Sequence, residues 1–572
     1  MITLGICNAE TASACVFKDG ELMAAVSEER LTRVKMDQAF PVRSIQAVLD
    51  AAGIALSDLD QVAYAWAKGF DEGVLSKYVL RGVELFSESK ESLDIFLERI
   101  EAELRQDLPR RQEFWDWARA NLPSSLHDSV VTCYHHEAHA YSAALMSPFK
   151  NALVVTADGR GDFESLTCWV YDSTATPPLR KLCSSTSADS LGFFYGRITG
   201  LLGFTPCRHE GKITGLAAHG NAERALPLMR EMIDFTDGEV KAKLGPLFRP
   251  FYTNYSDELK ARIADFSRED IAAAAQRHLE DMLCKTVEEM FRKHALGRLP
   301  VVLAGGIFAN VRVNQLIKEL PLVSGEFVQP HMGDGGLCVG VAAYAQHRAG
   351  IKIVPIKHQY LGPSVSADEV WAKRERFPNN VFEKCNDVLE DILDSLRQGQ
   401  VVGLVRGAME FGPRALCHRS ILFKSSDPSC NDWLNKRMNR TEFMPFAPVI
   451  TSELAAQSFV GFSESDETLR YMTATMKCKP DFADKCAAVT HVDNTARPQV
   501  VQKADDPFLW ELLTRWHQMT GEFALINTSF NAHEEPIVCT SEDAILSLND
   551  NTVDVVFIES IKVTANRMAM AN

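Results

Sequence analysis

Residues 130–162, VVTCYHHEAHAYSAALMSPFKNALVVTADGRGD, decide the fold class of this chain. The pattern predicts a buried strand over 130–134, a helix over 136–146 and a second buried strand over 152–157. A glycine-rich turn follows at 158–162. Strands that alternate with helices in this way form a mixed α/β sheet whose loops gather at the strand ends.

The same alternation extends in both directions along the chain. Upstream, the sequence predicts strands over 2–7, 13–17 and 21–26, a helix over 42–52 and a strand over 61–66. Downstream, it predicts a strand over 164–171, a helix over 271–295, strands over 299–304 and 327–329, and a helix over 337–349. Each half opens with consecutive strands and then turns helical. This repetition is compatible with a duplicated nucleotide-binding fold.

The chain of 572 residues exceeds what one hydrophobic core usually supports, so more than one domain is expected. Residues from about 68 to 128 are charged and leucine-spaced, which indicates a helical insertion. Proline and glycine in 350–363 mark a connector. A helix over 390–397 and strands over 401–405 and 524–527 then indicate a second α/β lobe. We therefore expect two domains, 1–350 and 351–572.

Composition excludes several classes of protein. The net charge of −16 disfavours nucleic acid as a partner. No apolar run approaches the roughly 18 residues that cross a bilayer, and the N-terminus lacks the features of a secretory signal, so we expect a cytoplasmic protein without a membrane partner. The 14 cysteines contain no Cys-x-x-Cys pair, which argues against zinc ribbons and iron–sulfur clusters.

Two histidines and two aspartates have the spacing of a metal site. His135 closes a strand and His139 lies four residues on, so both imidazoles are able to point at one position. Asp158 and Asp334 each end a predicted strand. This donor set suits a first-row divalent metal such as iron, zinc or manganese. A polar helix start, in which the histidines only form hydrogen bonds, remains the alternative.

Glycine turns and arginines suggest where phosphate binds. The turns at 158–161, 303–306 and 333–336 follow predicted strands, and such turns present backbone N–H groups to phosphate. The segment 407–448 and its surroundings are rich in arginine, whose fork-like guanidinium suits phosphate or carboxylate. A salt-bridged surface is the alternative, although the glycines and prolines between the charges disfavour a plain solvated helix.

Several ordered motifs resemble the NodU/CmcH-type O-carbamoyltransferase family. They run through nearly the whole chain and are Ser190–Tyr195, Glu210–Ala218, His135–His139, Gly412–Leu416, Glu442–Pro448, Asp493–Arg497, Asn527–Asn531 and Glu535–Val538. The resemblance implies an α/β protein. Its N-terminal lobe would have the duplicated ASKHA fold of Hsp70, actin and sugar kinases, and its C-terminal lobe would be similar to YrdC.

The resemblance also implies the reaction and its cofactors. Carbamoyl-adenylate would form from ATP and carbamoyl phosphate in the second lobe, and the first lobe would transfer the carbamoyl group to a hydroxyl of a small molecule. Fe²⁺ or another divalent metal, together with Mg²⁺, is the expected metal content. The best class for the acceptor is an antibiotic, toxin or similar natural product, and a homodimer is compatible with the sequence.

Some site residues are carried over from the family's motifs, and others, such as Glu10, His136 and the glycines, follow from residue type or from the glycine turns. The metal ligands would be His135, His139, Asp158 and Asp334. The catalytic residues would be Glu10, His136, Arg414, Arg497 and Ser529. The cofactor-binding residues would be Asp158, Gly159, Lys212, Gly305, Gly306, Asn310, Asp334, Gly335, Arg419, Arg440, Asn527 and Asn531. The family commonly has a histidine near position 10, where this chain has Glu10, so Glu10, His136 and His209 all remain candidates for the general base.

Three alternatives differ in what they need. A kinase of the same superfold needs no carbamoyl phosphate and no second arginine-rich lobe. A nucleotide-gated chaperone or regulator of that fold generally needs only magnesium. A carbamoyltransferase that acts on a protein cysteine carries an acylphosphatase unit and zinc fingers, and neither is visible in this sequence. We also expect the insertion to line the acceptor pocket or to form its lid. Its acidic residues, including Asp71, Glu72, Glu84 and Glu91, would favour a cationic acceptor or form a solvated face.

Overall fold

The computed structural model describes residues 1–66, 71–439 and 446–566, which form two compact units. The first unit contains Met1–Leu22, Ala39–Pro41 and Ala55–Ile356. The second contains Met23–Gln38, Val42–Ile54 and the chain from Lys357. The division near residue 350 is close to the predicted boundary. Residues 23–38 and 42–54, which the sequence placed in the first domain, belong to the second unit.

The strands up to Ile356 follow the predicted order and add a third small sheet. They are β1 (Ile2–Cys7), β2 (Ser13–Lys18), β3 (Glu21–Ser27), β4 (Gln61–Tyr64), β5 (Val131–Thr132), β6 (Asn151–Gly161), β7 (Glu164–Asp172), β8 (Leu179–Thr186), β9 (Ile233–Thr236), β10 (Glu239–Ala242), β11 (Leu299–Ala304) and β12 (Val323–Val328). Strands β6 and β11 are continuously buried over most of their length, as expected of strands covered on both faces.

The helices over the same part of the chain are α1 (Glu28–Thr32), α2 (Val42–Ala52), α3 (Glu72–Glu88), α4 (Lys90–Asn121), α5 (Ser124–His127), α6 (His135–Met146), α7 (Leu191–Leu201), α8 (Glu210–Ala217), α9 (Ala222–Met232), α10 (Asp257–Ile263), α11 (Arg268–Lys293), α12 (Val311–Lys318) and α13 (Leu337–Arg348). Of these, α1 and α2 lie in the second unit. The sequence analysis predicted no elements between residues 190 and 270, where α7 to α10 and the hairpin β9–β10 form.

Two five-stranded sheets within the described residues repeat one topology. The first has the order β3-β2-β1-β4-β5 and the second has the order β8-β7-β6-β11-β12. In the first sheet, β1 pairs antiparallel with β2 and parallel with β4. In the second sheet, β6 pairs antiparallel with β7 and parallel with β11. Because order and direction both repeat, the first unit has a duplicated α/β fold. The predicted duplicated α/β fold is therefore confirmed.

Helices α6 and α13 occupy the centre of the first unit. Helix α6 packs on the second sheet, α13 packs on the first sheet, and the two helices contact each other. Both are almost completely buried, which explains why their sequences are rich in alanine and valine rather than amphipathic. Their N-terminal ends follow β5 and β12, so the loops at both strand ends meet at one place.

The insertion is helical over its described residues, 71–128, as predicted. Helices α3 and α4 contact each other, and α4 packs against the rest of the unit through aromatic and charged side chains. Phe114 of α4 stacks on Tyr64 of β4, with ring centroids 4.0 Å apart. The carbonyl of Arg110 accepts hydrogen bonds from Asn8 and Tyr64. The insertion is therefore built into the unit and does not lie loosely on its surface.

The second unit contains an eight-stranded mixed sheet among its described residues, with the order β14-β24-β23-β15-β17-β22-β18-β21. The strands of this unit are β13 (Tyr360–Ser364), β14 (Asn380–Lys384), β15 (Val402–Val405), β16 (Ala408–Glu410), β17 (Arg419–Lys424), β18 (Ala447–Thr451), β19 (Met476–Lys477), β20 (Thr495–Ala496), β21 (Gln499–Val501), β22 (Leu525–Ser529), β23 (Val555–Ile558) and β24 (Ile561–Ala565). The helices are α14 (Ala367–Lys373), α15 (Val388–Arg397), α16 (Cys430–Arg437), α17 (Ser452–Ser458), α18 (Pro480–Lys485), α19 (Pro507–Thr520) and α20 (Ser541–Asn549).

Hydrophobic residues cover both faces of this large sheet. Helices α15 and α19 supply the cluster that contains Leu393, Leu509 and Trp516. A second cluster contains Leu434 of α16 and Ile545 of α20. The second unit is therefore an α/β lobe, as predicted. In the part of the chain that the structure describes, no helix is both long enough and apolar enough to span a membrane.

Candidate active site and metal centre

Four acidic and imidazole side chains converge where α6 and α13 begin. His135 and His139 lie one turn apart on α6, Asp158 lies on β6, and Asp334 lies in the short helical turn before α13. The Nε2 atom of His139 is 3.1 Å from Oδ2 of Asp158 and 3.7 Å from Oδ1 of Asp334. The Nε2 atom of His135 is 3.6 and 3.7 Å from the same two oxygens. One donor atom from each residue lies within 4.8 Å of all the others.

The donor atoms of this cluster fit a metal ion better than they fit one another. His135 and His139 are fully buried. Neither ring nitrogen of His135 has a hydrogen-bond partner among the described residues, which is costly for a buried polar group. A cation between the two imidazoles and two carboxylates would satisfy the Nε2 atom of His135, and this donor set suits a first-row divalent metal.

The electrostatics of the cluster lead to the same conclusion. Burial alone would lower the pKa of His139, but its hydrogen bonds to the carboxylates of Asp158 and Asp334 raise it to about 9. Burial would raise the pKa of Asp158, and the two histidines instead hold it well below its usual range. The carboxylates thus create a field that favours positive charge between them.

Glycines allow the backbone to approach this cluster closely. A Cβ on Gly161 would lie 2.1 Å from the ring of His135, and a Cβ on Gly159 would lie 2.8 Å from the hydroxyl of Tyr252. Gly305 has φ near +105°, and a Cβ there would lie 2.1 Å from the carbonyl oxygen of Ala157. Gly306 borders Asp158, and Gly335 packs against His331. The glycine turns therefore close around the strand ends.

Glu10 lies beside the cluster. Its backbone N–H donates to Oδ2 of Asp334 at 3.1 Å, and its carboxylate is 3.4 Å from Nη2 of Arg110 in the insertion. Burial raises the pKa of the Glu10 carboxyl, with Arg110 opposing the shift and Asp334 adding to it. This carboxylate is half-exposed, so it is also accessible from solvent.

The other two candidates for the general base lie in different environments. His136 is fully buried, its Nδ1 atom forms a 2.7 Å hydrogen bond with Thr156, and burial lowers its pKa well below the usual range. His209 stands at the N-terminus of α8, where its Nδ1 atom accepts from the backbone N–H of Thr205 at 3.1 Å. The structure thus places Glu10, and not His136, where solvent reaches the cluster.

Lys212 and Asn310 belong to the helical layer of the first unit. Asn310 caps α12, and its amide donates to Oε1 of Gln276 at 2.8 Å. The hydroxyl of Tyr195 donates to the same oxygen at 2.7 Å. Lys212 is buried on α8, with its ammonium 5.6 Å from the ring centroid of Phe204. Their contacts are with α7, α11 and their neighbours.

Four charged residues on α4 escaped the sequence analysis. Glu103 and Asp107 are almost fully buried, and Arg110 and Arg111 are mostly buried. They recur at helical spacing along one face of α4, which is the signal that could have found them. A charged stripe on a helix usually indicates a solvated face, so sequence alone favours the wrong interpretation.

The acidic residues of the insertion named as possible acceptor contacts have other roles. Asp71 caps α3 by accepting from the backbone N–H groups of Gly73 and Val74. Glu84 lies 2.9 Å from Arg81 and 3.0 Å from Lys241. Glu72 is an exposed residue of the first turn of α3, and Glu91 lies 3.9 Å from Arg249. These contacts give no support to selection of a cationic acceptor.

In the second unit, the loop that carries Arg414 is held from both sides. Oε1 of Glu410 accepts from the backbone N–H groups of Leu416, His418 and Arg419 at 2.7 to 3.0 Å. The amide of Asn527 donates to the carbonyl of Ala415 at 3.0 Å and to Gln499 at 2.7 Å. The side chain of Asn527 thus stabilises the backbone of this loop.

The two arginines in and beside this loop differ. Arg414 lies in the loop, where burial lowers its pKa to about 10. Arg419 is fully buried, and its five N–H groups all donate to backbone carbonyls, 2.8 to 3.2 Å away. The acceptors are the carbonyls of Pro363, Arg406, Gly407, His418 and Cys539. Since no donor of Arg419 is left for phosphate, its predicted cofactor-binding role is corrected to one in the scaffold of the loop.

The remaining predicted residues of the second unit are dispersed around β20 and β22. Arg497 follows β20 and lies close enough to His491 to lower its pKa. Ser529 ends β22 and pairs with Ser420. Asn531 donates to the carbonyls of Ala532 and Glu535 at 2.9 and 2.8 Å, so its amide closes a turn. Arg440 lies outside the described residues.

The chain is thus a two-unit α/β protein with a buried cluster of two histidines and two aspartates in its first unit. The carbamoyltransferase N-terminus family matches residues 3–343, and the carbamoyltransferase C-terminus family matches residues 393–565. The chain therefore belongs to the carbamoyltransferase family, and it is a carbamoyltransferase enzyme.

Relatives of known sequence extend over nearly the whole chain. The nodulation protein NolNO of Sinorhizobium fredii is 31% identical over 563 residues, which cover 96% of this chain and 78% of NolNO. An uncharacterized protein of Methanocaldococcus jannaschii is 30% identical over 560 residues, which cover 95% of this chain and 96% of that protein. Among solved structures, component A of the Acidaminococcus fermentans (R)-2-hydroxyglutaryl-CoA dehydratase is 15% identical with a TM-score of 0.34, covering 61% of this chain and 99% of its own. That structural likeness is too slight to carry an argument.

Proposed function

We propose that this carbamoyltransferase makes carbamoyl-adenylate from ATP and carbamoyl phosphate in its second unit and transfers the carbamoyl group to a small-molecule hydroxyl in its first unit. The observation that carries the proposal is the buried cluster of His135, His139, Asp158 and Asp334 in a member of the carbamoyltransferase family. A kinase of the same superfold would have no need of the second unit, which also matches this family.

The cluster supplies the site of transfer. The two histidines and two aspartates would hold a divalent metal, for which Fe²⁺ is our choice. When bound, the metal would neutralise phosphate charge and help to position the adenylate. The glycine turns at Gly159, Gly305 and Gly335 would present backbone N–H groups to the phosphate. Exclusion of water by the bound substrates would limit hydrolysis of the activated carbamoyl group.

Glu10 is our candidate for the general base. Its raised pKa makes the carboxylate a better proton acceptor than an ordinary glutamate, and it lies beside Asp334. As the acceptor oxygen attacks the carbamoyl carbon, its proton passes to Glu10 and a new C–O bond forms. The bond between the carbamoyl group and the phosphate of AMP then breaks, and AMP leaves with the electron pair. His136 is less suited because Thr156 and complete burial keep its ring within the core.

The arginine-bearing loop of the second unit supports the first half-reaction. Arg414 would bind phosphate or carboxylate oxygens of ATP and carbamoyl phosphate. Arg497 and Ser529, which match or neighbour ligand-binding positions in the family's motifs, would bind the same substrates. Burial removes water from the guanidinium of Arg414. An anionic ligand would therefore stabilise this guanidinium more than it would an exposed one. Mg²⁺ would accompany ATP.

Two measurements test this function on the purified full-length protein. Pyrophosphate release should require both ATP and carbamoyl phosphate. A panel of polyhydroxylated natural products should then give a product heavier by one carbamoyl group. If pyrophosphate does not form and ADP appears with a phosphorylated acceptor, the kinase alternative is correct. If the carbamoyl group appears instead on a protein thiol, the acceptor class proposed here is wrong.

A further inference from the structure

Helix α4 of the insertion touches the backbone of the loop that follows Asp158. Three successive contacts join them. Asp107 accepts from Nη1 of Arg160 at 2.8 Å. Nη2 of Arg111 donates to Oδ1 of Asp162 at 2.6 Å. Oε1 of Glu103 accepts from the backbone N–H of Phe163 at 2.6 Å.

One of these contacts continues to a residue of the proposed metal site. Oδ2 of Asp162 accepts from the backbone N–H of His135 at 2.8 Å, at the first residue of α6. The carboxylate of Asp162 thus has Arg111 on one oxygen and His135 on the other. Asp162 is 3% exposed by side chain and Arg111 is 19% exposed, so solvent screens this chain of contacts only weakly.

The loop has a backbone shape that needs external support. Asp162 and Phe163 both have left-handed conformations, with φ of 48° and 69°. A phenylalanine in that region is strained unless its surroundings hold it there. Glu103 binds the N–H of Phe163, and Glu103 itself accepts from the hydroxyl of Ser187 at 2.6 Å. Helix α4 therefore contributes to the support of this backbone, together with the N–H of Ser187, which donates to the carbonyl of Phe163.

We infer that Arg111 and Asp162 are positioning residues of the metal centre, through which α4 fixes the place of His135. The inference rests on the proposed function, because it assumes that His135 binds a metal. Arg111 holds the carboxylate of Asp162 in place. That carboxylate accepts from the backbone N–H of His135, the first residue of α6, and so fixes the residue that carries the imidazole. Partners of this kind typically alter metal affinity by about 10- to 100-fold when they are removed.

The test uses the full-length protein freed of metal and titrated with cobalt(II), whose visible absorption reports on ligand geometry. Arg111→Met and Asp162→Asn should weaken cobalt binding by about 10- to 100-fold and change the absorption bands. Arg111→Lys should restore part of the affinity, since it keeps the charge. Asp162→Asn is the milder change because its amide oxygen still accepts from His135, so it remains informative if Arg111→Met does not fold.

Arg81→Met is the matched control. Arg81 lies on α3 of the same insertion, is 6% exposed and lies 3.1 Å from Asp189, which is 5% exposed. Its loss should lower the melting temperature as Arg111→Met does, but it should leave cobalt affinity and absorption unchanged. If Arg81→Met weakens cobalt binding equally, the effect is general loosening and the inference is wrong.

The remaining outcomes separate the inference from the proposed function. His139→Ala should lose cobalt binding. If His139→Ala binds cobalt as the unaltered protein does, the metal centre itself is wrong. If His139→Ala loses binding while folded Arg111→Met and Asp162→Asn keep normal affinity and absorption, the metal centre stands and only the positioning role falls.

Discussion

The cluster of the first unit and the arginine-bearing loop of the second both bury charged groups, but they satisfy them differently. His135 has no hydrogen-bond partner on either ring nitrogen among the described residues. Arg419, in contrast, donates all five of its N–H groups to carbonyls. Burial of a charged or polar group therefore does not identify a binding site by itself. What matters is whether the protein already satisfies that group.

The largest effect is expected when a proposed metal ligand of the first unit is removed. His139→Ala should abolish carbamoyl transfer, by about a thousandfold or more, since several kcal/mol of transition-state stabilisation would be lost. Pyrophosphate release from ATP and carbamoyl phosphate should continue, because His139 belongs to the first unit. Both rates are measured on one preparation, and thermal melting checks that the variant is folded. If pyrophosphate release also stops in a folded variant, the division of labour between the units is wrong.

The reciprocal change lies in the second unit. Arg497→Ala should lower pyrophosphate release by about 100-fold or more, as expected when a charged donor to the reacting phosphates is lost. Carbamoyl-adenylate supplied directly should restore some product, because the first unit is unchanged. Arg437→Ala is the matched control, since Arg437 pairs with Asp554 at 2.9 Å in the same unit. Equal loss of pyrophosphate release in both variants would contradict a specific role for Arg497.

A substitution of Arg419 tests whether this residue serves the stability of the fold or the binding of phosphate. Arg419→Met should lower the free energy of unfolding by about 3 kcal/mol or more, because several buried carbonyls lose their donors. ATP affinity of the folded fraction should change much less than it does in Arg414→Met. Denaturant unfolding measures the first effect, and nucleotide titration by calorimetry measures the second. A variant of normal stability that no longer binds ATP would restore the phosphate-binding role that we withdrew.

Much of the fold follows from local pattern. The predicted bounds of β1, α2 and β11 agree with the structure residue for residue. The pattern also predicted that His135, His139, Asp158 and Asp334 would form one site, from the four-residue spacing of the histidines and the positions of the two aspartates at strand ends. Their metal and its identity remain proposals.

Long-range pairing accounts for what the sequence could not predict. Nothing local shows that Arg419 will find carbonyls at Pro363 and Cys539, far away in the chain, so its motif position suggested phosphate instead. The buried charges of α4 have the spacing of a solvated face, and only distant partners explain their burial. Glu103, Asp107 and Arg111 contact the loop at Asp162, and Arg110 contacts Glu10. Residues 23–38 and 42–54 were placed in the first domain, since no pattern in the sequence shows which core they join.

The smallest predicted effect tests the electrostatics near Arg497. Burial, followed by the charge of Arg497, lowers the pKa of His491 to about 4. At pH values between about 6.5 and about 4, His491 is protonated in the unfolded chain and neutral in the folded chain. The free energy of unfolding therefore falls as the pH falls through this range. His491→Gln removes this contribution. The variant's free energy of unfolding should therefore decline less than the unaltered protein's between about pH 7.5 and about pH 5, by about 1 to 2 kcal/mol once the partial exposure of His491 is allowed for. Urea unfolding at the two pH values measures the difference, and the carboxylates that also titrate at low pH cancel in the comparison. Equal declines in the two proteins would show that the pKa of His491 is not lowered in the folded state.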